Sequence, residues 1–245
     1  MVDPRLNIID ERLAKIRKII AVSSGKGGVG KSLIASTLAL TLSRSGHKVG
    51  LLDLDFSSPS THVILEIDGL YPKEEKGIVP PVAHGLMYMS IIYYSGDAPT
   101  PLRGADISNA IIELLAITQW GSLDFLVIDM PPGIGDATLD MIRLVKDINF
   151  LVVTTSSKVA FETVSKLIRL LRDLNLPIIG VVENMKMTDS SFIRENVEKF
   201  KVSFLGEIKF DYELENSIGD VNKLLETDFA RSLEKLVSQR PEIKS

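Results

Sequence analysis

The sequence contains no cysteine among its 245 residues, so it offers neither a disulfide nor a thiolate metal ligand. It is also poor in aromatic residues (6%), with a single tryptophan, and has no strong excess of charge of either sign, since the net charge is -4. That balance does not favour an anionic partner. We therefore do not expect binding to nucleic acid.

Long hydrophobic runs are missing as well. No apolar run approaches the roughly 20 residues that a membrane-spanning helix needs. Residues 1–9 have no apolar core of the kind that a secretory signal carries. We expect a cytoplasmic protein without a membrane span. What remains is an ordinary composition, 45% hydrophobic and 24% charged, at a length that suits one α/β domain.

One glycine-rich stretch carries the chemistry. Residues 25–32 match the phosphate-binding pattern G-x-x-x-x-G-K-[ST], between a predicted strand at 19–23 and a predicted helix at 33–44. Glycines let backbone amides turn towards a polyphosphate, and the helix N-terminus adds partial positive charge. The predicted nucleotide-binding residues of this segment are Gly25, Lys26, Gly27, Gly28, Val29, Gly30, Lys31, Ser32 and Leu33.

The same motif assigns side-chain roles. Lys31 is expected to reach the β- and γ-phosphates, and the Ser32 hydroxyl is expected to bind Mg²⁺. Two predicted strands lead to acids at the edge where open α/β sheets bind ligands. The strand at 48–53 runs into Asp53 and Asp55, and the strand at 123–129 ends in Asp129, which suits an acid that holds a Mg²⁺-bound water. For Asp53 alone, a loop acid or helix cap is favoured.

These motifs resemble the deviant P-loop ATPases of the MinD/ParA/Mrp group, the SIMIBI class. In that family a lysine at the position of Lys26 crosses a dimer interface to the partner's nucleotide, so the resemblance implies a homodimer formed on ATP binding. The alternative for Lys26 is a solvated surface lysine. The D-x-D segment followed by Pro-Ser resembles switch I, which implies that Asp55 orients the attacking water and contacts Mg²⁺ through water. Ser58 stands where the family usually has glycine.

Residues 129–136 read Asp-Met-Pro-Pro-Gly-Ile-Gly-Asp, close to a signature of the Mrp/ApbC branch that MinD and ParA lack. Two prolines and two glycines form a stiff bend with mobile ends, which suits a switch II segment that senses the γ-phosphate. Ile134 replaces the family's threonine. The resemblance thus implies an ATPase with catalytic Lys26, Lys31 and Asp55, and with Mg²⁺ held by Ser32, Asp55 and Asp129.

Residues further along the chain are candidates for binding the base of the nucleotide. Asn184 follows a predicted strand at 177–182 and offers both a donor and an acceptor, which suits adenine; the alternative is that it only ties the turn. The family places a segment like 209–211 over the base, so Lys209 and Asp211 are predicted to bind nucleotide, although Lys209 replaces a proline. No N-K-x-D guanine motif occurs, so ATP is favoured over GTP.

Mrp/ApbC proteins are best known as iron–sulfur cluster carriers, with a C-x-x-C just after the Asn-Met element. Here residues 186–192 read Lys-Met-Thr-Asp-Ser-Ser-Phe, so an iron–sulfur cluster is not expected as a cofactor. Three functions stay open. They are a role in iron–sulfur cluster assembly with ligands from a partner, a MinD/ParA-like regulatory switch with an unidentified protein partner, and a small-molecule ligase or kinase.

The predicted fold is a single α/β P-loop NTPase domain at 19–245, with a mostly parallel sheet of about seven strands and helices on both faces. Residues 1–18 are predicted to form a leader, helical over 10–18. Residues 69–85 are rich in Gly, Pro and charge and are predicted to form a surface excursion.

Overall fold

A computed structural model describes residues 3–95, 104–240 and 243. Ten strands follow in chain order: β1 (Ile16–Ser24), β2 (Val49–Asp53), β3 (Lys73–Glu74), β4 (Ile78–Val79), β5 (Val82–Ala83), β6 (Leu86–Ser90), β7 (Leu123–Asp129), β8 (Ile148–Thr155), β9 (Ile178–Lys186) and β10 (Phe204–Lys209). Eight of them form one sheet in the order β10-β9-β8-β1-β7-β2-β6-β5. All neighbours in this sheet are parallel except β5 and β6, and β3 and β4 form a separate antiparallel pair.

The helices follow in chain order: α1 (Arg5–Leu13), α2 (Lys31–Arg44), α3 (Thr61–Ile64), α4 (Ile92–Ser95), α5 (Ala105–Ile117), α6 (Asp136–Leu144), α7 (Lys158–Asp173), α8 (Phe192–Lys199), α9 (Val221–Glu226) and α10 (Asp228–Ser238), with a 3₁₀ helix at Leu214–Ser217 before α9. Apolar residues of α1 and α5 to α8 form one core with the sheet, and those of α2, α3, α9 and α10 form a second core. The sheet is therefore covered on both faces, as predicted. None of the helices in these described residues is both long and apolar enough to cross a bilayer.

The parallel register brings the predicted motifs together. Val22 pairs with Asp129 across β1 and β7, and Asp53 pairs with Asp129 across β2 and β7. The carboxyl ends of three neighbouring strands therefore meet at one edge of the sheet. The loops that leave these strands are the phosphate-binding loop, switch I and switch II.

The α/β class and the mostly parallel sheet are confirmed. The sheet has eight strands rather than about seven, because β5 adds an antiparallel edge inside the predicted excursion at 69–85. The strands in this stretch, β3 to β5, are two residues long. Segments this short carry no hydrophobic period that a sequence pattern could reveal.

The leader helix lies earlier than residues 10–18, so that expectation is wrong. Helix α1 ends at Leu13 and β1 begins at Ile16, because Ile9 and Leu13 are buried in the core while Ile16 joins the parallel ladder opposite Leu123. Of the charged residues in this stretch, Asp10, Glu11 and Arg12 lie in α1, whereas Arg17 and Lys18 belong to the start of β1. There the Arg17 guanidinium lies 5.2 Å from the ring centre of Phe125.

Helices α9 and α10 are separated by a single residue. Thr227 separates them with extended backbone angles (φ -70°, ψ 155°), and its side chain accepts a hydrogen bond from the Ala230 amide. A threonine in this position caps the following helix.

Candidate functional site

The loop between β1 and α2 lines a cavity of about 420 Å³ at the carboxyl edge of the sheet. Residues 26–33 all line it, whereas Gly25 does not. Two other loops contribute Asp55, Ser57, Ser58, Ser60 and Pro132. The structure thus brings the phosphate-binding loop, switch I and switch II to one cavity.

The first turn of α2 opens on this cavity. Gly30, the residue before the helix, has a left-handed backbone (φ +80°) and carries no side chain that could accept a hydrogen bond from the first helical amides. Uncapped amides at a helix N-terminus suit an anion, and the helix dipole acts in the same direction. The backbone here has the chemistry that a polyphosphate requires.

Gly25 is a glycine because of packing. A Cβ at this position would lie 2.5 Å from the Thr163 hydroxyl oxygen and 2.5 Å from the Val164 amide nitrogen. Helix α7 therefore presses against the start of the loop. This close packing seats the loop against α7, and the role of Gly25 in nucleotide binding stays a prediction.

Lys31 lies among buried carboxylates. Its ammonium nitrogen is 2.6 Å from Asp129 Oδ1 and 4.0 Å from Asp55 Oδ2. The side chain of Lys31 is 6% exposed and that of Asp129 is fully buried. Burial raises the pKa of Asp129 to about 6, although the positive charge of Lys31 lowers it, and burial also raises the pKa of Asp53. One ammonium faces three carboxylates, an arrangement that favours additional positive charge.

The residues fit a magnesium ion. Asp129 Oδ2 is buried and has no hydrogen-bond partner among the described residues. A buried, unpartnered carboxylate oxygen requires a ligand or water. Ser32 and Asp55 line the same cavity. Mg²⁺ prefers oxygen ligands and keeps several of its waters, so a hydroxyl and two carboxylates around a phosphate site match its chemistry.

Switch I is held in a tight turn at Asp55. Its Oδ1 accepts hydrogen bonds from the amides of Ser57 and Ser58, each at 3.1 Å. The other oxygen, Oδ2, is directed to Lys31. Asp53 is fully buried at the end of β2 and accepts from the amide of Thr61, the first residue of α3, at 3.2 Å. Asp53 therefore ties the loop, as favoured from sequence.

Switch II is hydrogen-bonded to the end of β1, where the phosphate-binding loop begins. The Met130 amide donates to the Val22 carbonyl at 3.1 Å, and the Gly133 amide donates to the Ser24 carbonyl at 2.9 Å. Gly133 has φ +85°, a left-handed backbone that glycine adopts without strain. Ile134, where the family pattern has threonine, is 41% exposed. The segment is thus in contact with the backbone from which the loop begins.

Lys26 is exposed at the mouth of the cavity. Its carbonyl accepts a hydrogen bond from the Ser24 hydroxyl at 2.9 Å, which fixes the backbone but not the ammonium. The ammonium forms no ion pair with any described residue. A cation in this position is free to meet a charge outside its own chain.

The predicted base-binding residues do not line the phosphate cavity. Asn184 is buried, and its Nδ2 donates to the Val29 carbonyl at 2.9 Å, so it ties β9 to the loop. The contact requires Gly30, since a Cβ there would lie 2.4 Å from Nδ2. Binding of the base by Asn184 stays a prediction. Lys209 and Asp211 line a different cavity of about 690 Å³ beside α10.

Sequence reasoning missed several residues of the site. Ser57, Ser58 and Ser60 line the cavity, as does Pro132 of the double proline. The signal was present, because three hydroxyl side chains follow an acid at the end of a strand, where ligands of α/β sheets bind. The contact of Thr163 with Gly25 had no signal, since it depends on how α7 packs.

The segment at 186–191, where relatives of the resembled family carry cysteines, is held by an ion-pair cluster. The Lys186 ammonium contacts Glu207, lies 3.4 Å from Glu183 and donates to the Ser190 carbonyl at 2.8 Å. Within the described residues no group of three or more His, Cys, Asp or Glu side chains could hold a metal ion. The chain does not fit an iron–sulfur cluster, whose ligands are mainly thiolates.

Comparison with known proteins agrees with this geometry. A family profile described as ParA, NUBPL iron-transfer P-loop NTPase, matches residues 15–240. An iron–sulfur cluster carrier protein of Pseudomonas fragi is 44% identical over 177 residues, which cover 71% of this chain and 62% of the relative. The match spans 49–63% of the length of the first three curated relatives. The relatives are thus considerably longer than the part they share with this chain.

Solved structures share the fold over nearly the whole chain. A nucleotide-binding protein of Archaeoglobus fulgidus, solved in complex with ADP, has a TM-score of 0.77 and 31% identity, covering 91% of this chain and 95% of its own. The cell division ATPase MinD of Pyrococcus furiosus has a TM-score of 0.67 and 22% identity, covering 94% and 99%. At that lower identity the likeness to MinD establishes the fold alone.

Proposed function

Because this chain belongs to the ParA family of NUBPL-type iron-transfer P-loop NTPases, we propose that it binds and hydrolyses MgATP as a nucleotide-gated homodimer. One observation carries the proposal. The Lys31 ammonium lies within 4.0 Å of Asp55 and Asp129, beside a cavity lined by residues 26–33. These groups support a site that holds phosphates, with acids that could hold a metal ion and orient a water.

Binding follows from the groups at the cavity. The loop amides and the N-terminus of α2 would hold the phosphates. The Lys31 ammonium would exchange its contact with Asp129 for the β- and γ-phosphates. Ser32 would hold Mg²⁺ directly, and Asp55 and Asp129 would hold it through water. When bound, the ion neutralises charge that develops on the phosphoryl group.

Hydrolysis needs a positioned water and a second cation. In our proposal Asp55 orients the attacking water, since its carboxylate is held by the amides of Ser57 and Ser58. Lys26 of a second copy offsets the developing charge; a cation supplied in trans in this way, as an arginine finger, accelerates phosphoryl transfer by about 10³–10⁵. Loss of the γ-phosphate would then release switch I and switch II and open the dimer.

Adenine is the proposed base. Asn184 already donates to the Val29 carbonyl, and a carboxamide also has an oxygen that can accept from an adenine amino group. The Phe210 amide donates to the Lys186 carbonyl at 3.0 Å, so the segment with Lys209 and Asp211 is tied to the strand of Asn184. We propose that this segment covers the base when nucleotide binds.

Relatives of this chain are named iron–sulfur cluster carriers, yet this sequence supplies no cysteine ligand. We propose that any role in cluster assembly is that of an ATP-driven cytoplasmic partner to a protein that holds the cluster. A MinD/ParA-like switch that acts on another protein partner is the alternative. A small-molecule ligase or kinase is less favoured, and stimulation of ADP release by a metabolite would reveal it.

The test is titration calorimetry with a non-hydrolysable ATP analogue and Mg²⁺, followed by sedimentation of the saturated protein. We expect binding of one nucleotide per chain, loss of affinity when Mg²⁺ is chelated, and a shift from monomer to dimer. GTP analogues should bind more weakly. Absence of binding, or a single chain at saturating nucleotide, would contradict the proposal.

A further inference from the structure

A buried chain of hydrogen bonds connects Asp53, Thr61 and Tyr88 next to switch I. Asp53 uses both carboxylate oxygens: Oδ1 accepts from the Asp55 amide at 3.0 Å, while Oδ2 accepts from the Thr61 amide at 3.2 Å and from the Thr61 hydroxyl at 2.6 Å. The Thr61 hydroxyl in turn lies 2.9 Å from the Tyr88 hydroxyl. Asp53, Thr61 and Tyr88 are all fully buried.

The direction of this chain is fixed by chemistry. The Thr61 hydroxyl donates its hydrogen bond to Asp53 Oδ2, because an ionised carboxylate only accepts hydrogen bonds. The remaining lone pairs of the Thr61 oxygen then accept from the Tyr88 hydroxyl. The chain runs from Tyr88 on β6 through Thr61 on α3 to Asp53 on β2, and it ends at the Asp55 amide. It joins the neighbouring strands β2 and β6 through the loop between β2 and α3.

In this arrangement both ends of the loop between β2 and α3 are hydrogen-bonded to the Asp53 carboxylate. The loop leaves β2 at Asp53 and re-enters regular structure at Thr61, and Ser57, Ser58 and Ser60 within it line the phosphate cavity. Asp55 lies inside the loop, 4.0 Å from the Lys31 ammonium. A buried carboxylate is costly unless its hydrogen bonds are all made. Loss of the Thr61 hydroxyl would therefore disturb Asp53 and, through it, the backbone of Asp55.

We propose that Thr61 and Tyr88, acting through Asp53, are positioning residues that fix the backbone of Asp55 for hydrolysis. The inference rests on the proposed ATPase function. In this proposal none of the three side chains contacts the nucleotide. They set the placement of the one acid that orients the attacking water, and a small displacement of such a group lowers the rate far more than it lowers affinity.

The first experiment separates turnover from binding. Thr61→Val removes the hydroxyl at nearly constant volume, and we expect turnover to fall about tenfold with ATP affinity within about twofold of the wild type. Tyr88→Phe should lower turnover about threefold, because Thr61 still donates to Asp53. Thr61→Ser restores the hydroxyl and should recover turnover to within about twofold.

Matched controls remove two other buried hydroxyl groups, that of Thr118 and that of Tyr93, whose ring centre lies 6.0 Å from that of Tyr88. Thr118 is buried and its hydroxyl donates to the Leu114 carbonyl, so Thr118→Val loses a comparable hydrogen bond away from the cavity. Tyr93 has a hydroxyl with no hydrogen-bond partner among the described residues, so Tyr93→Phe is the control for Tyr88→Phe. Both controls should hydrolyse ATP at the wild-type rate.

A second readout does not depend on hydrolysis. In nucleotide-free protein, the amides of Asp55 and Thr61 should exchange hydrogen about tenfold faster in Thr61→Val than in Thr118→Val. If the wild type hydrolyses ATP and Thr61→Val matches it, the positioning role is refuted while the proposed function stands. A fall of affinity and turnover together would also refute it. If the wild type neither binds nor hydrolyses ATP, the proposed function itself fails and the positioning role fails with it.

Discussion

Two lysines of the phosphate-binding loop differ sharply in their surroundings. Lys31 is 6% exposed and paired with Asp129, whereas Lys26 is exposed and forms no ion pair among the described residues. Buried and exposed cations of one loop serve different partners. We propose that the first is placed for its own chain's nucleotide and the second for that of a second copy. Their variants should therefore fail in different ways.

Lys26→Ala should keep ATP affinity within about threefold of the wild type and lower turnover by about 10³, because only the cation supplied in trans is lost. Calorimetry and phosphate release measure the two effects. Lys48→Ala is the matched control, since Lys48 is exposed just before β2, at the opposite end of the sheet. Normal turnover in Lys26→Ala would refute the trans role.

Lys31→Met leaves the Asp129 carboxylate buried without its partner, and breaking such a pair costs about 3–5 kcal/mol in the free energy of unfolding. Burial already raises the pKa of Asp129 to about 6, and it should rise further without Lys31. The folded variant then holds a proton that the unfolded chain releases, so its stability falls as pH rises. Urea denaturation should show a larger loss at about pH 8 than at about pH 5.5.

Asp129→Asn added to Lys31→Met removes the buried charge and should recover most of that stability at the higher pH. A double variant as unstable as Lys31→Met, or a loss that does not depend on pH, would contradict this account of the pair. ATP affinity should be lost in both variants, because neither retains the ammonium that contacts the phosphates.

At the scale of elements, the loop is seated by what packs behind it. Helix α7 approaches Gly25 so closely that a Cβ would lie 2.5 Å from the Val164 amide nitrogen, a backbone atom that cannot rotate away. Gly27, two residues later, has nothing within 4 Å of its Cβ position. Two glycines of one motif are therefore under different constraints.

Gly25→Ala should lower the free energy of unfolding by about 1–3 kcal/mol, because the added methyl group forces α7 away from the loop. Gly27→Ala, the matched control, should stay within about 0.5 kcal/mol of the wild type. Chemical denaturation of both variants measures the difference. Equal stabilities would mean that α7 does not seat the loop.

At the scale of the whole molecule, the fold and the family are those of iron-transfer P-loop NTPases, but the chain lacks the ligands for a cluster. In the segment that corresponds, by the resemblance noted from sequence, to the C-x-x-C of Mrp/ApbC proteins, Lys186 joins Glu183 and Glu207 in an ion-pair cluster. An ammonium ion cannot bind iron, and its carboxylate partners are occupied by it. The scaffold is therefore retained while the cluster-binding chemistry is absent from this chain.

Anaerobic reconstitution of the purified protein with iron and sulfide should therefore leave it colourless and free of bound iron after desalting. A relative with the cysteine pair, treated in parallel, should turn brown. Absorption in the visible range and iron content measure the outcome. A stoichiometric iron–sulfur cluster on this chain alone would overturn the view that it holds none.

How much was predictable from sequence differs between the fold and the site. The strand–loop–helix at residues 19–44 and the strand that ends at Asp129 were predictable, because local spacing and apolar runs fix elements of this length. The placement of α1 and the two-residue strands β3 to β5 were not. The charged side chain of Arg17 suggested the polar face of a helix. The two-residue strands are too short to show a hydrophobic period.

The sequence by itself determined the fold class and the phosphate-binding loop, since both depend on residues close along the chain. Only the tertiary structure decided that Asn184 binds the Val29 carbonyl and that Thr61 joins Tyr88 to Asp53. The contacts of Asn184 with Val29 and of Thr61 with Tyr88 link residues that are 155 and 27 positions apart. Strand order brings them together, and hydrophobic periodicity does not encode strand order, so no local pattern could have shown them.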